Sequence, residues 1–397
     1  MPRFPKLSEH AHSVSPRVYS DLAQRARARN AEIYPLHVGD TYRDPVAAAQ
    51  AEHQLSREHD GLHKYAPVQG EPSAIDAFLA YVRERHGETL DRELVQLMSG
   101  ATAGLSIVCQ VLLEPGDEVL LPSPFWPLSR GIIATKGAVP VQVPFYTRLD
   151  EPGFDPEAAL ENAVTERTVA LYINTPNNPS GRVLSESTIA AMLRVAKRHD
   201  LWLFCDEAYE EIYFDREAPG AVWKRPETRD RAIAFHTLSK TYGFAGARIG
   251  FTHGPESVMA AVRGMQTFHT YCAARPMQFG AVQALQQGGD WVRESRTLYR
   301  DAGYSAADAL GLPRPEGGTF LFFDVSAELE PGAEDCTGFL ERCADLGVLL
   351  TPGRSCGADY AKWVRLCFTS VPPARLAEAL EKLAPLCGMC GMLRSQS

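Results

Sequence analysis

Runs of apolar residues that close on a turn or a polar residue recur along the first two thirds of the chain. Residues 94–98 end at Ser99-Gly100, 118–121 at Pro122-Ser123-Pro124, and 169–173 at Asn174. Residues 201–205 close on Asp206, 232–235 on His236, and 248–252 on His253-Gly254. Their Val, Ile, Leu and Phe content is continuous rather than alternating, which predicts strands covered on both faces, as in a parallel sheet. Stretches of helical periodicity, 103–113 and 187–198 among them, lie between these strands. The alternation predicts an α/β fold with a mostly parallel central sheet over roughly 45–285.

Beyond residue 285 the pattern changes. A long helical run (290–309) leads through Pro313-Arg314-Pro315-Glu316-Gly317-Gly318 to a strand at 319–325. A helix at 336–346, strands at 347–351 and 363–368, and an amphipathic helix at 373–386 follow. That succession describes a smaller α+β domain over 286–397. Residues 1–44 read as an N-terminal arm packing with this small domain, with one helix (16–30) and an extended piece (34–38).

Composition narrows the function. The chain has 397 residues, enough for two domains, with 45% hydrophobic and 22% charged residues, too apolar for disorder. A net charge of −9 leaves no diffuse positive field, so no nucleic-acid partner is expected. No apolar run approaches the ~20 residues that span a bilayer, so no membrane association is expected. The first thirty residues carry basic side chains without an apolar core, so no secretory leader is expected. Nine cysteines without framework spacing suit a reducing compartment, and a cytoplasmic location is expected.

In open parallel sheets, ligands sit beyond the carboxyl ends of the strands. The residues found there are Gly100-Ala101-Thr102, Phe125-Trp126, Asn174 to Asn178, Asp206 to Tyr209 and Thr237 to Lys240, with Arg248 starting the last strand. An amine, a carboxylate after an apolar strand, an aromatic side chain and an anion-binding loop together suit a flat, cationic heteroaromatic with a phosphate tail. Pyridoxal 5'-phosphate (PLP) answers that description.

Here the chain resembles a known family, the class I/II aminotransferases of the fold-type-I PLP enzymes. The matching motifs are Asn177-Asn178-Pro179-Ser180-Gly181, Asp206-Glu207-Ala208-Tyr209, Ser239-Lys240-Thr241-Tyr242-Gly243 and Ala247-Arg248-Ile249-Gly250. They occur in the family's order, 28 residues from Asn178 to Asp206, 34 more to Lys240, and 8 to Arg248. The resemblance runs from about Tyr34 to the end and implies an enzyme that moves an amino group from an L-amino acid to a 2-oxo acid.

By this resemblance Lys240 binds the cofactor aldehyde and later shuttles the substrate proton, which requires a depressed pKa. Asp206 keeps the pyridine ring protonated as an electron sink. Asn178 and Tyr209 hydrogen-bond the phenolic oxygen, and Trp126 stacks on the ring, with Phe125 the alternative by one register step. Gly100, Ala101 and Thr102 offer a helix N-terminus to the phosphate, joined by Thr237, Ser239 and the Arg248 guanidinium. Tyr65, in Lys64-Tyr65-Ala66-Pro67, is implied to reach the phosphate of a neighbouring subunit, hence a homodimer with shared sites. Arg365 is the implied α-carboxylate clamp, with Gly39 and Asn178 as further substrate contacts.

Other features set limits. Aspartate-type members carry an extra cation for a distal carboxylate; this chain has Thr102 at one such position and no Arg at the expected step of His269-Thr270-Tyr271-Cys272-Ala273-Ala274-Arg275, although Arg275 is a near substitute. His269, Tyr271, Tyr42 and Arg43 are expected on the substrate side. An aromatic or other non-aspartate donor is therefore expected. His59 and His63 are spaced like two metal ligands on a helix, but Gly61 weakens that helix, and Cys387-Gly388-Met389-Cys390 is a single C-x-x-C, so no metal is expected. The alternative function is a PLP-dependent lyase of the same fold, either a carbon–sulfur β-lyase or an eliminating or cyclising enzyme. A non-enzymatic regulator is a third.

Overall fold

The structure, a computed structural model, describes residues 20–29, 31–55, 59–217 and 220–388. Seven strands form one sheet: β1 (Val95–Met98), β2 (Glu118–Ser123), β3 (Val139–Pro144), β4 (Thr168–Asn174), β5 (Trp202–Asp206), β6 (Ala232–Thr237) and β7 (Gly250–His253). Their order across the sheet is β1-β7-β6-β5-β4-β2-β3. Strands β2 to β6 pair in parallel, whereas β7 runs antiparallel to both β6 and β1. Every residue of β1, β2, β6 and β7 is buried, which explains their unbroken apolar runs. The sheet is mostly parallel, as expected; burial on both faces hides direction, so the pattern gave no sign that β7 is reversed. Strand β3 escaped the sequence pattern because Pro140 and Pro144 interrupt it, and proline is tolerated on the edge it occupies.

Helices cover both faces. The helix Glu186–Arg198 begins at Ser185, whose hydroxyl accepts from Thr188 N at 3.1 Å. It carries Glu186 in its first turn and Lys197 and Arg198 in its last, matching the helix dipole. Its apolar side, Ile189, Met192 and Val195, enters the core on one side of the sheet. Met98, Leu105, Leu121 and Phe235 belong to the core on the other.

A second, antiparallel sheet has the order β8-β10-β9, where β8 is Phe320–Asp324, β9 Thr351–Pro352 and β10 Trp363–Cys367. The strand expected at 347–351 is shorter. Tyr34 N donates to Gly347 O at 2.9 Å and Leu349 N to Tyr34 O at 3.1 Å, so that stretch pairs with the N-terminal segment instead of β10. The helix Ser20–Ala28 lies on Thr337–Asp345, with Ala26 against Ala344 and Arg25 2.7 Å from Asp345. The expected start of that helix at 16–19 and Cys390 lie outside the described residues. His59 to His63 form a turn rather than a helix, with Gly61 at φ +63°.

Candidate active site

The carboxyl ends of β1, β2, β4, β5 and β6 open on a cavity of ≈ 200 Å³. Arg248 reaches the same end by another route than expected. It precedes β7 rather than starting it, and arrives there because β7 is reversed and Gly250 pairs with both Met98 and Thr237. Two further elements close the cavity, Gly39 from the N-terminal segment and Arg365 from β10. Of the expected residues, Gly39, Ala101, Thr102, Trp126, Asn178 and Asp206 line it, as do Tyr209, Thr237, Ser239, Lys240, Arg248 and Arg365. Phe125 turns into the core, 1% exposed, which settles the register in favour of Trp126 facing the cavity.

The β1 end is shaped for an anion. Gly100 (φ +81°) leads into the helix Ala101–Leu112, whose first turn has no side-chain cap. The leading N–H groups of such a helix have no partner within it. A Cβ on Gly100 would lie 2.6 Å from Arg248 Nη2, so glycine is needed both for the left-handed turn and for the close guanidinium. Arg248 itself sits at φ +55°, uncommon for a residue with a side chain. Its Nη1 donates to Ala245 O at 2.9 Å and reaches Ser239 Oγ at 3.4 Å, and among the described residues no carboxylate pairs with it.

Arg365 is 5% exposed and equally without a counter-anion. Nη1 donates to Asn178 Oδ1 at 3.0 Å, Nη2 to His37 O at 3.0 Å and Thr351 Oγ1 at 3.2 Å, and Nε has no partner. Its guanidinium lies 4.4 Å over the Phe320 ring. Asn178 in turn donates through Nδ2 to Tyr209 Oη at 3.4 Å. A buried, oriented and unneutralised guanidinium is a receptor for a carboxylate.

Asp206 shows the opposite deficit. Its carboxylate accepts from Tyr172 Oη and, at 3.0 Å, from Ala208 N, but no cation pairs with it among the described residues. Burial pushes its pKa up, against those two hydrogen bonds and the charge of His236. Lys240 donates to Gly39 O. Burial pushes its amine below the ordinary value, with Arg248 and Arg365 acting in the same direction and Asp40 and Cys367 against it. A neutral amine is nucleophilic, and a carboxylate lacking a cation suits a protonated ring nitrogen. These deficits fit a phosphorylated pyridine at one end and an amino-acid carboxylate at the other.

Other expectations fall elsewhere. Tyr65 is 81% exposed, its ring 5.0 Å from Tyr271, on a surface away from the cavity of its own chain. Gly100 lies behind Arg248 rather than in the lining. Arg275, the near substitute, does not line the cavity of its own chain and is engaged there: Nε donates to Glu71 Oε1 at 2.6 Å and Nη1 to Gly61 O. Arg43 is engaged by Ser295 and Glu294, and neither Tyr42 nor His269 lines the cavity. Tyr172, which bonds Asp206, went unread because it sits inside the continuous apolar run of β4.

A fold of this kind with such a site is that of an amino-group-transferring enzyme. The family profile described as aminotransferase class I and II matches residues 31–383, and the chain belongs to that family. It is a PLP-dependent aminotransferase. An arginine–pyruvate transaminase of Pseudomonas aeruginosa is 32% identical over 362 residues, covering 87% of this chain and 88% of the relative. An aspartate/prephenate aminotransferase of Thermus thermophilus is 32% identical over 342 residues, 83% and 84% of the two chains. Among solved structures, an N-succinyldiaminopimelate aminotransferase of Mycobacterium tuberculosis superposes with a TM-score of 0.87 at 28% identity, over 96% of this chain and 100% of the other. The lyase alternative is not favoured, since these relatives are aminotransferases. No helix among the described residues is long and apolar enough to cross a membrane.

Proposed function

We propose that the cavity holds PLP between Asp206 and the Arg248–helix corner, and binds an amino acid on Arg365. Asp206 faces the ring nitrogen and Trp126 its plane, Asn178 and Tyr209 the phenolic oxygen. Ala101, Thr102, Thr237, Ser239 and Arg248 receive the phosphate, with Gly100 giving the loop its room. The observation that carries this reading is the set of unmatched charges facing one cavity: a carboxylate without a cation, two guanidinium groups without anions, and a buried amine. When bound, the cofactor supplies an aldehyde for amino groups and a protonated ring that withdraws electrons. The chain's own work is to orient and to move a proton. Arg365, aided by Gly39 and Asn178, fixes the substrate carboxylate, and the Lys240 Nζ carries a proton to and from the substrate Cα.

The donor is an aromatic or other non-aspartate amino acid. The cationic side chains of the lining are Lys240, Arg248 and Arg365, each already given a role, and Arg275 is held by Glu71. Among the described residues of this chain a second substrate carboxylate therefore lacks a partner. The exposed Tyr65 serves the phosphate of a second copy, making a homodimer with shared sites. The 45–285 unit holds the cofactor, 286–397 forms the small domain with the 1–44 arm against it, and the enzyme works in the cytoplasm.

The test is a panel of amino acids and 2-oxo acids mixed with the PLP-loaded protein, followed by loss of the visible absorbance. Aromatic or neutral donors are expected to exceed aspartate by about tenfold or more in kcat/KM. A preference for aspartate would overturn the donor reading, and turnover by Lys240→Ala would overturn the site.

A further inference from the structure

Behind the cavity lies a second group of ionisable side chains for which amino transfer gives no reason. Glu210 follows Tyr209 and is 5% exposed. Its Oε1 accepts from His236 Nδ1 at 2.7 Å, and its Oε2 accepts from His86 Nε2 at 2.9 Å. His236 Nε2 stands 3.1 Å from His253 Nε2, the two rings stacked with centroids 5.1 Å apart. The three histidines come from three elements: His86 ends the helix Pro72–His86, His236 belongs to β6, and His253 ends β7. Facing the group are Tyr81 and Arg85 of that same helix, Asp206, Glu207 and Glu211 of the neighbouring turn, and the Trp223 ring.

A carboxylate that accepts from two imidazoles is ionised. Burial alone would raise the Glu210 pKa, but the charge and hydrogen bonds of His236 and His86 hold it well below the usual carboxylate range. Burial, reinforced by His236 and His86, keeps His253 neutral, well below the usual histidine range. One proton then lies between the facing Nε2 atoms, and both nitrogens of His236 are engaged.

The position of this pair along the chain matters as much as its burial. Glu210 is the residue after Tyr209, and His236 is the residue before Thr237. Their contact joins the turn that presents Asp206 and Tyr209 to the one that presents Thr237, Ser239 and Lys240. It does so from the side away from the cavity, since neither Glu210 nor His236 lines it. A main-chain bond, Glu207 N to Phe235 O at 3.0 Å, runs beside it. Glu211 is fastened separately, to Arg85 at 2.5 Å and Arg296 at 2.8 Å.

We propose that Glu210 and His236 are positioning residues, a buried strut that sets the separation and electrostatics of the two turns gripping the cofactor, with His86 bonded to its Glu210 end and His253 to its His236 end. The proposal rests on the assignment of PLP to the cavity. His236 acts on Asp206 in the sense that favours its carboxylate, against the burial that opposes ionisation, so removing His236 weakens the carboxylate assigned to the ring nitrogen.

The test uses holoenzyme purified with PLP: the parent, His236→Leu, His236→Asn and Glu210→Gln. Three readouts are taken: the pH of the visible spectral transition of the lysine-bound cofactor, the rate at which PLP is lost on dilution, and Tm. His236→Leu and Glu210→Gln are expected to raise the spectral transition by about one unit and to speed PLP loss about tenfold. His236→Asn, which keeps a donor near the Nδ1 position, is expected to restore PLP retention to within about threefold of the parent. A lowered Tm with an unmoved transition and unchanged retention would mean that the cluster only stabilises the fold, which overturns the strut. Should His236→Leu fail to fold, Glu210→Gln and His236→Asn decide on the same readouts. A parent that takes up no PLP overturns both the cofactor assignment and the strut; a parent that does, matched by its variants, overturns the strut alone.

Discussion

Within six consecutive residues, Asp206 to Glu211, the chain presents two kinds of buried charge. On the cavity side Asp206 has hydrogen-bond donors but, among the described residues, no cation. On the far side Glu210 lies between two histidines, and Glu211 between Arg85 and Arg296. Charges removed from water need partners, and breaking a buried pair costs about 3–5 kcal/mol. The difference separates what the fold supplies for itself from what it leaves for a ligand. At the rear Glu210 and Glu211 each have their partners, whereas the front set is the one to which the proposed function assigns a phosphate, a protonated ring and a substrate carboxylate.

The sharpest way to break this contrast is Lys240→Ala. Single-turnover measurements are expected to show a loss of about 10⁴-fold or more, with an unfolding midpoint close to the parent's. Next come Glu210→Ala and Asp206→Ala in PLP-free protein, compared by urea unfolding. The first is expected to lose about 3–5 kcal/mol, and the second to lose nothing or gain, because it removes a charge with no counter-ion. Equal losses would mean that the two sides of the segment do not differ in this way. Arg365→Leu is expected to lower kcat/KM by about 10²–10³-fold, mainly through KM, without reducing stability. Gly100→Ala is expected to weaken PLP binding about tenfold by displacing Arg248 and straining the turn, as equilibrium dialysis would show.

The smallest effect is one of pH. His253 is held neutral in the fold, its pKa depressed from the ordinary 6.5. Its contribution is therefore fully present above pH 6.5 and is lost as pH falls towards the depressed folded value. Glu210, depressed from 4.5, acts in the same sense at lower pH. Glu207, raised by burial and by Glu210 and Asp206, acts oppositely. His253→Phe is expected to flatten the decline in stability between about pH 6.5 and 5 by roughly 1 kcal/mol. An unchanged slope in urea titrations would show that His253 takes up its proton without opening the fold.

The sequence made the front of this segment legible and left the back obscure, for physical reasons. Asp206, Lys240 and Asn178 stand where apolar strands give way to polar turns, so a reader knows both their position and the direction of the cavity. Tyr172 bonds Asp206 from within a strand buried along nearly its whole length, where no period distinguishes one face from the other. Glu210 and His236 lie 26 residues apart, and only the parallel pairing of β5 with β6 brings their elements side by side. Ordered motifs marked Arg248, which lines the cavity, yet the reversal of β7 that delivers it was invisible, because strands covered on both faces read alike in either direction.

That reversal has a consequence for how the site can evolve. A parallel strand after β6 would require a crossover that carries the chain to the far end of the sheet. The antiparallel return instead keeps Lys240 and Arg248 on one short excursion, pinned at its base where Leu238 N donates to Ile249 O at 3.1 Å. Amine and guanidinium thus travel as a single cassette. It could be exchanged whole between relatives, whereas Asp206 and Arg365 belong to separate modules whose spacing to it must be re-tuned after each swap.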